Sequence, residues 1–81
     1  MGKEYKITCV VPNDSALEAM FGRLPSPIHR QPLSEIYNYK ILPDGFYFID
    51  RLVDNKTASV ALRIFIDAAL GSNQTIQISE L

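Results

Sequence analysis

The stretch from Ile36 to Val53 constrains this chain most, because Asp44 and Gly45 stand at its midpoint with strand-like residues on both sides. An Asp-Gly pair between apolar runs is the strongest short-range hairpin signal, since both residues tolerate the positive φ of a type I′ turn. A two-residue loop at Asp44-Gly45 sets Pro43 opposite Phe46, Leu42 opposite Tyr47, Ile41 opposite Phe48 and Tyr39 opposite Asp50. The period of two then sorts the side chains onto two faces. One carries Tyr37, Tyr39, Ile41, Phe46, Phe48 and Leu52 with a single charge, Asp50. The other carries Ile36, Leu42, Tyr47, Ile49 and Val53, interrupted by Asn38, Lys40 and Arg51. The first face is the better candidate for a core beneath helices. Apolar residues on the second face as well predict that at least one of these strands lies inside a sheet.

Before the hairpin, Tyr5 to Val11 alternates as a half-buried strand, with Tyr5, Ile7, Cys9 and Val11 on one face. Pro12 ends it. Asn13, Asp14 and Ser15 supply helix-start chemistry, with Ser15 and Glu18 spaced as a capping box. Leu17, Met20, Phe21 and Leu24 then form one apolar stripe, closed by Pro25. Pro25 to Ser34 holds three prolines and makes a long connection, a place where loops often carry function but also a simple proline-stiffened return to the sheet. After the hairpin, Asp54 and Asn55 begin a second helix that runs to Leu70, with Gly71 at the position of a C′ glycine. Only Arg63 and Asp67 interrupt the apolar run from Val60 to Leu70, with Ser59 just before it, so its apolar surface exceeds the ~100° stripe of an ordinary surface helix. Ile66 and Leu70 share the polar side with Arg63 and Asp67. Thr75 to Leu81 alternates as a last strand, with Ile76 and Ile78 inward.

The order βαββαβ, built from two split βαβ units with right-handed crossovers, predicts a ferredoxin-like plait: an α+β fold with a four-stranded antiparallel sheet and two helices on one face. The expected strand order, 4-1-3-2, places the third strand inside and the second at the rim. One domain spans residues 1–81. A chain of 81 residues buries only ~60–65% of its unfolded surface, so oligomerisation would add needed burial.

The composition excludes several classes. With 47% apolar residues, and 8 Lys and Arg against 9 Asp and Glu, the chain is neither disordered nor a strongly basic nucleic-acid binder. No apolar run approaches the ~20 residues needed to span a bilayer, so no membrane partner is expected. No signal-peptide h-region is visible, and the single cysteine, Cys9, fits a reducing compartment; a cytoplasmic location is the expectation.

Catalytic constellations are absent from the pattern. Cys9 alternates with buried positions while His29 lies in the proline loop, which makes Cys9 a core residue rather than half of a nucleophile pair. One Cys and one His match no metal-ligand spacing, and the four scattered glycines make no phosphate loop, so neither metal nor cofactor is expected. Asp14, Asp44, Asp54 and Asp67 are each explained by a cap, a turn or a helical neighbour. Asp50 alone sits among apolar and Tyr side chains, most simply as a satisfied strand-end carboxylate. Arg23, His29 and Arg30 could attract an anion to the proline loop.

Gly45-Phe46-Tyr47-Phe48-Ile49 resembles the third-strand motif of the RNA-recognition motif family, and Leu17 to Pro25 resembles that family's first helix. The resemblance implies that Phe46 and Phe48 stack bases of single-stranded RNA on the open sheet face, supported by Lys6, Lys40 and Arg51. Asp44, Tyr47 and Arg51 depart from the family's pattern, and Ile7 to Pro12 lacks its aromatic. Leu70-Gly71 followed by Ile76 and Ile78 is similar to the tails of small phycobilisome linkers. A feature shared by two unrelated families mostly reports a helix-to-strand exit.

The leading expectation is a non-catalytic module that works by protein contact and self-associates. Two surfaces offer themselves: Arg63, Ile66, Asp67 and Leu70 on the second helix, and Val10, Ile36, Lys40, Leu42, Tyr47, Ile49 and Arg51 on the open sheet face. RNA binding and anion or small-ligand binding at Arg23, His29 and Arg30 are the alternatives.

Overall fold

The computed structural model describes residues 2–24, 36–73 and 75–81. Along the chain run β1 (Lys3–Thr8), α1 (Asp14–Arg23), β2 (Tyr37–Leu42), β3 (Gly45–Asp50), α2 (Asn55–Ser72) and β4 (Gln77–Glu80). The strands form one antiparallel sheet in the order β2-β3-β1-β4, which is the expected ferredoxin-like plait with β3 inside. Ile7 of β1 and Ile41 of β2 pair with Phe46 of β3, and Tyr5 and Tyr39 with Phe48, so the odd-numbered apolar residues of β1 and β2 and the even-numbered ones of β3 point to the same side. Met20 of α1 and Ala58, Ala61, Phe65 and Ala69 of α2 close over that side.

Phe65 is the centre of the core. Its ring lies 5.3 Å from Phe46 and 5.8 Å from Phe48, both edge-on, and 4.9 Å from Tyr39. Such tilted and edge-to-face pairs add to the stabilisation that area burial alone gives. The alanines of α2 at positions 58, 61 and 69 are buried on the same side, and their small size lets the helix axis approach the sheet closely.

The hairpin has the expected faces but a different register. Leu42 pairs with Gly45, Ile41 with Phe46 and Tyr39 with Phe48, so the two-residue loop is Pro43-Asp44 rather than Asp44-Gly45. Proline fixes a negative φ, which forbids the type I′ turn at this position and suits the first central position of a type I turn. Leu52 is the sole non-glycine with positive φ among the described residues, so Asp44 stays on the negative side too. Each pairing moves by two residues and every side chain keeps its face. Gly45 is needed for another reason: its φ is +149°, and a Cβ there would overlap the Ile7 carbonyl oxygen of the adjacent strand.

Both helix starts are capped, though not always by the expected residue. Asn13, not Ser15, caps α1, its side-chain oxygen accepting the Ala16 N–H at 2.8 Å. The Ser15–Glu18 spacing goes unused because the helix already begins at Asp14. Asp54 caps α2, accepting the Thr57 N–H at 3.1 Å and the Thr57 hydroxyl at 2.9 Å. At the other end Gly71 is helical and does not terminate α2. Asn73 does: its side-chain amide donates to the Ala69 carbonyl at 2.9 Å and to the Val10 carbonyl at 3.2 Å, and its Oδ1 accepts the Val10 N–H at 3.2 Å. A side chain that satisfies a terminal carbonyl and a neighbouring strand exit at once ends the helix without a left-handed residue.

Three further expectations change. Ile36 precedes β2 and is 4% exposed, part of the core rather than of the open face, and its carbonyl accepts the Arg51 N–H at 3.0 Å. Leu52 and Val53 lie beyond β3 in the turn to α2, both about half exposed. Ile76 packs against the core, but Ile78 on the rim strand β4 is 45% exposed.

Candidate functional site

On α2, at 100° per residue, Val60, Arg63, Asp67 and Leu70 fall within about 80° of arc on the side away from Phe65. Val60 is 51% exposed and Leu70 46%. Between them the Arg63 Nε donates to Asp67 Oδ1 at 2.9 Å, an i,i+4 pair on the helix surface. Such a pair is worth a few tenths of a kcal/mol and holds both side chains along the helix. Ile66, expected on this outer face, is partly buried at its margin and packs on the core. The sequence reading overlooked Val60. Its spacing of three, four and three to Arg63, Asp67 and Leu70 was the available signal.

The open sheet face presents Glu4, Lys6 and Thr8 from β1, Asn38, Lys40 and Leu42 from β2, and Tyr47, Ile49 and then Arg51 from β3 and its exit. Leu42, Tyr47 and Ile49 are only partly exposed, and with Asn38, Lys40 and Arg51 they line a shallow depression of about 520 Å³. Polar neighbours tie this face together. The Tyr47 hydroxyl donates to Glu4, and that bond, with lesser desolvation, pushes the phenol above the ordinary tyrosine range. The Lys6 ammonium donates to Asp44 at 2.7 Å and holds that exposed carboxyl below the usual carboxylate range. Val10 lies past the end of β1 and is bound to Asn73, so it belongs to the end of α2 rather than to the open face.

Phe46 and Phe48, which the likeness to an RNA-recognition motif would set out for base stacking, are each 0% exposed beneath α2. The odd-even phase of β3 relative to the helices is opposite to what that role requires. Tyr47 is the aromatic that faces outward.

Arg23 sits in the last turn of α1, beside a hollow of about 400 Å³ between the helices that Ala16, Ala19, Asp67, Ala68 and Gly71 also line. Asp67 places a negative charge at the same hollow. His29 and Arg30, the other members of the anion group, lie outside the described residues.

Cys9 is partly buried behind the hairpin turn, its N–H bonded to the Asp44 carbonyl at 3.1 Å. Burial, and then the Asp44 charge, push its thiol up, away from the thiolate that a nucleophile needs. The Asp50 carboxylate accepts the Leu52 N–H at 2.8 Å and holds Leu52 at φ 61°, so it closes the turn into α2. Among the described residues no group of three or more His, Cys, Asp or Glu could hold a metal, and no helix is long and apolar enough to cross a membrane.

Comparison with protein-family models, with curated proteins and with solved structures finds no match. Any functional inference therefore rests on the surfaces just described.

Proposed function

We propose that this protein acts by protein contact without catalysis, and that it self-associates through the outer face of α2. One observation carries this: Val60 and Leu70 stand about half exposed on one helical face, one on each side of a surface ion pair. A small domain gains most from covering such residues, because its own core is limited in size. The open sheet face supports the same role less well, since its apolar side chains are already partly covered by their neighbours.

Light scattering behind size exclusion tests it. Over a rising concentration series the mass should climb from 9.1 kDa toward twice that value. A mass that stays at the protomer value into the millimolar range would remove self-association as the role.

A further inference from the structure

The outer face of α2 is self-complementary about Phe65. Arg63 and Asp67 lie two residues to either side of it, Val60 and Leu70 five, and Ser59 and Gly71 six. All of these except Phe65 are exposed. Helical geometry makes such positions fall on one face in mirrored pairs; it does not dictate what occupies them. Here the occupants match as an interface between identical chains requires: a cation mirrors an anion, an aliphatic side chain mirrors an aliphatic one, and a small residue mirrors a small one.

We infer that a second copy of this chain docks here, with its α2 antiparallel to the first and a two-fold axis passing midway between the two helices, perpendicular to both, at the level of Phe65. A two-fold interface is isologous, so whatever residue i meets, its counterpart meets in return. Antiparallel packing about Phe65 sets Arg63 of each copy beside Asp67 of the other and Val60 beside Leu70. The two intrahelical Arg63–Asp67 pairs then close into a four-membered ring of alternating charge. Ser59 against Gly71, where a Cβ would meet nothing within 4 Å in the protomer, lets the backbones draw together at both ends of the contact. The helix is 18 residues, about 27 Å, long enough for the whole stripe to stay engaged at a shallow crossing angle.

The same charges disfavour other registers. A parallel pair puts Arg63 against Arg63 and Asp67 against Asp67. Sliding the antiparallel pair so that the axis passes through residue 63 or 67 brings like charges together again. Repulsion in the alternatives is what gives one register its specificity.

This inference rests on the self-association proposed above, and charge exchange separates the two. Sedimentation at low salt is run on the full chain, on Arg63→Asp, on Asp67→Arg, and on an equimolar mixture of the two variants. Each variant alone places four like charges at the axis and should weaken dimerisation about tenfold or more. The mixture should regain a dimer of one copy of each. That recovery cannot come from the intrahelical pair, which both variants lack. Circular dichroism matching wild type shows that the variants fold. If both variants dimerise like wild type, the association is real but uses another surface, and the α2 interface is wrong. If the folded variants stay monomeric when mixed, residues 63 and 67 do not meet across the interface and the α2 pairing is wrong. If wild type itself is monomeric throughout, the self-association proposal falls with it.

Discussion

The open face of the sheet and the outer face of α2 both turn aliphatic and charged side chains outward, but they treat them differently. On the sheet, neighbouring strands place polar partners within reach. Glu4 accepts from Tyr47 and Asp44 from Lys6, and the aliphatics Leu42 and Ile49 are half covered among them. On the helix the polar pair Arg63–Asp67 runs along the axis and leaves Val60 and Leu70 about half bare on either side. Cross-strand neighbours sit ~5 Å apart in two directions, whereas side chains on the outer face of a helix have their nearest neighbours up and down that same face. Apolar content is therefore a poor guide to exposure, and what the adjacent backbone can bring alongside is a better one.

The sharpest way to break this contrast is to free the helix from the sheet. Phe65→Ala removes the ring against which Phe46, Phe48 and Tyr39 pack, and should cost about 3–5 kcal/mol in urea unfolding. A loss below about 1 kcal/mol would mean that α2 is not locked in the orientation that aims Val60 and Leu70 outward. A smaller effect is expected at the end of the same helix. Asn73→Ala deletes the bonds to Ala69 and Val10 and should cost about 1–2 kcal/mol, with faster amide exchange at Val10. Unchanged exchange there would show that the helix end is held by something other than Asn73.

The smallest effect belongs to the open face and depends on pH. The Tyr47 phenol is raised by its bond to Glu4, so its contribution is fully present below the ordinary tyrosine pKa and is lost as pH rises through the raised folded value. Thermal midpoints of wild type and Tyr47→Phe should differ most near neutral pH and converge in strong alkali. A constant difference across that range would show that Tyr47 acts through packing alone. The Asp44 carboxyl behaves with the opposite sign: lowered by Lys6, it contributes above the ordinary carboxylate range and loses that contribution as acid protonates it.

Much of the fold was legible because local signals agreed. Alternation in Tyr5 to Val11 and across the hairpin identified the strands, and the face holding Phe46 and Phe48 was the one that the helices cover. The hairpin loop was misplaced by one residue because an Asp-Gly signal and a Pro-Asp signal overlap at Pro43-Asp44-Gly45. Proline's fixed φ decided between them, and Gly45 was drawn into the sheet by the close approach of β1. Gly71 looked like a terminus because a glycine near the end of an apolar run usually is one. The partner that ends α2, Asn73, takes its meaning from Val10, which is 63 residues away in sequence.

By itself the sequence determined which residues can share a face, since side-chain periodicity is a property of the backbone alone. It thereby determined the order of elements and the mirrored pairs around Phe65. Only the tertiary structure decided which of those faces are covered, because burial depends on contacts between segments far apart in the chain. That is why Ile36 and Ile66 turned inward, why Phe46 and Phe48 lie closed beneath a helix, and why Val60 and Leu70 stand about half exposed.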